Sequence, residues 1–179
     1  MKQNPPGQIE VKAYPELTEA LVRIFSNTTC PQVIIESGTY LVTGTTKLII
    51  EAVELSGKQE EVLFYTIEGN AQAYRQASKN LSPYPWVQVL HGLSLSLDEC
   101  VQWISSDEYL LNHQNYPDIF IDDTHNPVGT YINELKQGEP FRVENVLEDL
   151  IERFDTESLF FSLDSCGGTG FLEFMRITE

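Results

Sequence analysis

Val33–Thr46, VIIESGTYLVTGTT, is the stretch that decides the fold. Val33, Ile34 and Ile35 form an uninterrupted aliphatic run, as a strand buried on both faces requires. Glu36 stands where that strand ends. Gly38 and Gly44 bracket a short loop, and Leu48–Leu55 follows with apolar residues at helical spacing. Strand, glycine loop and helix together are how an open parallel sheet builds a ligand crevice at the carboxyl ends of its strands. Glycines let the backbone approach a ligand, and a helix N-terminus offers unpaired N–H groups. A carboxylate at Glu36 disfavours a phosphate at short range and suits a cationic or hydroxyl-bearing ligand. The same residues also read as a plain strand-to-helix turn with an exposed acid.

Upstream, Met1–Lys12 is polar, carries a Pro-Pro-Gly cluster and lacks an apolar core. It reads as a flexible lead-in rather than a secretion signal. The spacing of Leu17, Leu21, Ile24 and Phe25 predicts a helix over Glu16–Ser26, with Pro15 at its first position. The central helix is expected to bury Leu48, Ile49, Ala52, Val53 and Leu55.

Downstream, Val62–Ile67 reads as a second strand ending in Glu68. Asn70 caps a helix that buries Ala73, Tyr74, Ala77 and Leu81. Trp86–Leu90 is a third strand, and Ser96 caps a short helix over Leu97–Ile104. Repeated strand–helix units call for an α/β domain over residues 13–179, with a parallel sheet and right-handed crossovers. Asp118–Asp122 (DIFID) resembles a further strand. Val143–Phe154 has an apolar stripe of helical period. Leu159–Leu163 (LFFSL) reads as a buried strand, and Gly170–Ile177 as a last helix.

The 179 residues include 27 acids and 11 bases, for a net charge of −16. Such a chain is repelled by nucleic-acid backbones and anionic membrane surfaces; the excess acid reads as a solvated face and leaves room for a small-molecule ligand. Cys30, Cys100 and Cys166 are odd in number and contain no CxxC pair, which argues against a disulfide framework and places the chain in the cytoplasm. A homodimer is compatible with this composition. No apolar run reaches transmembrane length.

Glu36 and Glu68 end consecutive strands and are both expected to face one crevice. An acid closing the second strand typically takes a ribose hydroxyl pair. The first turn is not G-x-G-x-x-G, which disfavours a dinucleotide oxidoreductase, and no G-K-[ST] is present for a P-loop.

E-S-G-T-Y-L-V-T-G-T-T, then F-Y-T-I-E, then W-V-Q-V-L-H-G-L-S resembles the cofactor-binding half of class I S-adenosylmethionine-dependent methyltransferases, nearest the macrocin O-methyltransferase-like group. The resemblance runs over Pro31–Leu97 and more weakly over Phe160–Gly168. It implies a Rossmann-like, mostly parallel sheet in the order 3-2-1-4, with a fifth strand if Asp118–Asp122 joins, and helices on both faces. It implies that Gly38, Thr39 and Tyr40 lie near the methionine end of S-adenosylmethionine, that Glu68 takes its ribose, and that Gly92, Leu93 and Ser94 border its adenine. Glu36, Gly44, Thr45 and Asp164 complete the expected cofactor set. The family's glycine positions two and four residues after Gly38 are here Tyr40 and Val42. The usual seventh-strand ending of that fold has no counterpart here, so the sheet is abbreviated, belongs to a longer relative, or is completed by a partner.

No catalytic residue stands out. Asp122, Asp123 and Asp164, with His125 near them, read either as ligands for a divalent cation such as Mg²⁺ or, for Asp122–Asn126, as an acidic turn ahead of Pro127. The function implied is methyl transfer from S-adenosylmethionine to a small acceptor. The rival from another class is a non-catalytic nucleotide-binding or interaction domain with an acidic surface.

Overall fold

The computed structural model describes residues 15–27, 31–118, 121, 123–137, 143–154, 159–165 and 168–178. The chain runs α1 (Pro15–Phe25), β1 (Val33–Ser37), α2 (Thr45–Ser56), β2 (Leu63–Glu68), α3 (Ala71–Leu81), β3 (Val87–His91), α4 (Leu97–Ser106), α5 (Glu108–Leu111), a 3-10 turn (His113–Asn115), α6 (Pro127–Lys136), α7 (Val146–Arg153), β4 (Leu159–Leu163) and α8 (Gly170–Thr178). The four strands form one sheet in the order β3-β2-β1-β4, every pair parallel. This is the α/β, Rossmann-like arrangement that the sequence leads one to expect.

Alternation along the strands supplies two cores. Ile34, Phe64 and Phe160 point to one face, where Leu21 and Phe25 of α1, Leu48, Ile49 and Val53 of α2 and Leu81 of α3 cover them. Val33, Ile35, Tyr65 and Ile67 point to the other, against residues of α4 to α8 that include Ile104, Tyr131, Leu147, Leu150 and Leu172. Burying both faces is why the strands read as continuous apolar runs. Asn70 accepts from Gln72 N and Ala73 N, and Ser96 accepts from Glu99 N, as the capping signals anticipate.

Several expectations are corrected. The helix expected from Val143 begins at Val146. Val143 instead forms a parallel bridge with Gly92, and Asn145 turns the chain at φ 59°. The N–H groups of Val146 and Leu147 are satisfied by the carbonyls of Leu93 and Ser94. Apolar periodicity cannot see such a backbone tie. A Cβ on Gly92 would lie 2.6 Å from the Val143 carbonyl, so this junction requires glycine. Leu55, expected inside, is 71% exposed in the last turn of α2. Helix α6, capped by Asn126 with Pro127 in its first turn, was not expected. Of the Asp118–Asp122 strand, Asp118 lies in a turn and Ile121 outside any strand; the other three residues are outside the described set.

Leu147 is fully buried on the apolar stripe of α7. Leu147→Ala should cost roughly 2–5 kcal/mol, the range for a large-to-small change in a packed core. Urea denaturation checks this, and a loss below about half a kcal/mol would mean the stripe is not packed.

Candidate functional site

Because every strand runs the same way, Ser37, Glu68, His91 and Leu163 end along one edge of the sheet. A cavity of about 440 Å³ opens there. Ser37, Gly38 and Tyr40 form its β1 wall, and Ile67, Glu68, Gly69 and Asn70 its β2 wall. Gly92, Leu93, Ser94 and Cys100 line it beyond β3, and Asp164, Ser165 and Thr169 beyond β4. Glu134, Leu135 and Gln137, at the end of α6, close it from above. The volume is that of an ordinary small-molecule site, and the place is where β1 and β4 lead the chain in opposite directions across the sheet.

The loop after β1 is held from outside. Gly38 N and Thr39 N both donate to the Ile67 carbonyl, at 3.0 and 3.2 Å. Glu68 accepts from Tyr40 N through Oε2 and from Asn70 N through Oε1, each at 2.7 Å. Gly38 has φ 91°, and Tyr40 and Val42 adopt φ 48° and 65°. Left-handed backbone in a tyrosine and a β-branched valine is uncommon and costs roughly 1–2 kcal/mol per residue. These are the two positions where the resembled loop carries glycine. The loop takes a left-handed path here at two residues that are not glycine.

Glu68 lines the crevice as expected, yet most of it is buried. Burial pushes its carboxyl above the usual range, and the N–H groups of Asn70 and Tyr40 and the nearby His91 pull it back. Asp164 sits at the rim and accepts from Thr45 Oγ1 at 2.7 Å. Partial loss of water raises its pKa, and the Thr45 hydroxyl opposes that.

Glu36 takes a different course from the one expected. It does not face the crevice with Glu68; it is fully buried beneath the loop. Its Oε2 accepts from Thr46 Oγ1 and Thr66 Oγ1, both at 2.7 Å. Thr39 is buried as well and bonds Thr66, so four side chains lock the loop, β1, β2 and α2 together. Oε1 is buried with no hydrogen-bond partner. Desolvation pushes the carboxyl up to about 8, against the lowering effect of the two threonines.

Sequence reasoning missed Glu173. It is fully buried on α8 and accepts from Ser37 Oγ at 2.7 Å, Ser165 Oγ at 3.0 Å and Ser94 Oγ. Burial raises its pKa and the three hydroxyls moderate the rise. An acid within a short amphipathic helix carries no signal of such burial; only the hydroxyls at three separate strand ends hint at it.

Of the residues singled out from the sequence, Gly38, Tyr40, Glu68, Gly92, Leu93, Ser94 and Asp164 line one cavity. Thr39 and Glu36 lie beneath the loop, Gly44 precedes α2, and Thr45 holds Asp164. Asp123 is engaged by His125 N and Thr130 Oγ1 in the turn ahead of α6, and Asp122 is outside the described residues. Among the described residues no group of three His, Cys, Asp or Glu side chains could hold a metal ion, and no helix is long and apolar enough to cross a membrane. Comparison with models of known protein families and with curated protein sequences gives no match.

Proposed function

We propose that the cavity binds S-adenosylmethionine and that the chain transfers its methyl group to a small-molecule acceptor. The observation that carries this reading is the charge of the cavity. Glu68, Glu134 and Asp164 line it, and among the described residues no lysine or arginine does. These carboxylates repel a pyrophosphate and attract a sulfonium ion. Glu68 keeps further lone pairs on both oxygens beyond its two backbone bonds, so it can accept from a ribose diol while pinning the loop. Leu93, Gly92 and Cys100 offer an apolar edge for a flat base. When bound, the cofactor supplies an activated methyl group; the chain's part is to hold the reacting atoms in line and exclude water.

A second reading is favoured by Tyr40. Its side chain, 46% exposed, lines the cavity at a position where the resembled loop has no side chain. That suits a domain that binds a nucleotide, or a partner, without catalysing transfer.

Calorimetry with S-adenosylmethionine, S-adenosylhomocysteine and NAD tests the proposal. The first two are expected to bind, and at a hundred times Kd to stabilise the fold by about 2.7 kcal/mol. Glu68→Ala should weaken S-adenosylhomocysteine by roughly 1.5–3 kcal/mol. It should also cost about 1–3 kcal/mol of stability, because the Tyr40 and Asn70 N–H groups lose their acceptor. Glu68→Gln should fall between. Failure of both S-adenosylmethionine and S-adenosylhomocysteine to bind at millimolar concentration would leave the non-catalytic reading.

A further inference from the structure

Ser37, Ser94 and Ser165 come from the ends of β1, β3 and β4, and all three line the cavity. Each donates its hydroxyl proton to the buried carboxylate of Glu173. Ser165 Oγ lies 2.9 Å from Thr169 Oγ1; with its own proton committed, Ser165 is the acceptor of that bond. A serine whose single proton is spent offers a neighbour only lone pairs. The floor of the cavity is therefore a set of hydroxyl acceptors with a buried carboxyl group behind it. Among the described residues, burial and these three hydroxyls are what act on Glu173, with no cationic side chain among them. A buried carboxylate without a counter-charge is costly, and the missing charge can come from a bound molecule.

We propose that the serine floor over Glu173 is a subsite for an alkylammonium group. A primary ammonium is compact, carries three donors and has no acceptor, which matches acceptors converging from three strand ends. A sulfonium has no donor to give them, so this subsite is distinct in chemistry from the wall formed by Glu68. The inference rests on the reading of the cavity as a ligand site. The amine belongs either to the amino-acid tail of the nucleoside ligand or to a separate acceptor molecule.

Titration calorimetry with S-adenosylhomocysteine, its analogue lacking the α-amino group, and n-butylammonium separates these sources. If the tail carries the amine, the unmutated protein binds S-adenosylhomocysteine roughly ten- to a hundredfold more tightly than the deaminated analogue. If a separate molecule carries it, the two nucleosides bind alike and n-butylammonium binds beside them. In either case Glu173→Gln should abolish the preference for the amine and leave the deaminated analogue within about twofold, too small a change to represent a lost hydrogen bond. Ser94→Ala keeps the carboxylate, removes one acceptor and should give part of the same loss, which keeps the test open should Glu173→Gln fail to fold. Equal losses for amine-bearing and amine-free probes, or no preference and no binding of n-butylammonium, would overturn the subsite. If neither nucleoside binds, the proposed function fails, and n-butylammonium alone then decides the subsite.

Discussion

Gly38→Ala should cost the fold roughly 2–5 kcal/mol, one of the largest effects available from adding a single carbon. An alanine Cβ at this position would stand 1.9 Å from the Asp164 carbonyl oxygen and 2.7 Å from its carbon. The obstacle is backbone, so no side chain can swing away. The φ of 91° adds strain of its own for any L side chain. Relief would need the loop to lift from Ile67, whose carbonyl holds Gly38 N and Thr39 N, or the bond from Asp164 N to the Ser37 carbonyl to break. Either movement opens the seam between β1 and β4 beside the cavity. Gly170→Ala is the control: a Cβ there meets nothing within 4 Å. Equal urea midpoints for the two variants would contradict the close approach.

Stability should fall as pH rises from about 4.5 to about 8, and Glu36→Gln should make that slope shallower. Below the lower value Glu36 is protonated folded and unfolded, and contributes no dependence. Between the two values the unfolded chain releases the proton while the folded chain keeps it, because its pKa is raised from 4.5 to about 8. Each pH unit in that window then favours unfolding by about 1.36 kcal/mol. The accumulated loss is on the order of 3–5 kcal/mol, and it levels off above pH 8. Glu68, Asp164 and Glu173 are shifted in the same direction and add to the slope. Glutamine keeps an oxygen for Thr46 and Thr66 and carries no proton to lose. Glu36→Gln should therefore be the more stable protein at pH 8.5 and nearly equal at pH 4.5. Thermal unfolding across that range checks it; parallel curves for the two proteins would mean Glu36 ionises freely.

The sheet was legible because its strands are buried on both faces. VII, VLFY, WV and LFF are apolar runs, with Thr66, Gln88 and Ser162 the polar residues inside their strands, and polar residues at the strand ends mark the edge where the cavity opens. The caps at Asn70 and Ser96 were legible because capping is local chemistry. What escaped depended on distant backbone. Val143 has the right spacing for a helix, yet it is drawn out to bridge Gly92, some fifty positions away in sequence. Helix α6 has a weak apolar stripe behind an acidic turn, so its start reads equally well as loop. Glu36 and Glu173 were misjudged or missed because a carboxylate is ordinarily a surface group, and only the threonine and serine hydroxyls gathered around them make burial tolerable. The cavity residues were found where strand ends predict them; the floor beneath them was not, because it is assembled by a helix that follows every strand.

The positive φ angles at Tyr40 and Val42 show where the shape of the loop is encoded. Neither residue prefers that backbone. Its path is imposed by Glu68, by the Ile67 carbonyl and by the threonines under Glu36. The memory of the loop's shape is therefore stored in its neighbours rather than in its own letters. The turn is built around a tyrosine and a valine at positions 40 and 42 by contacts outside it. Its determinants are non-local: Gly38 against the residue after β4, and an acid at the end of β2 that reaches back to the third residue of the turn.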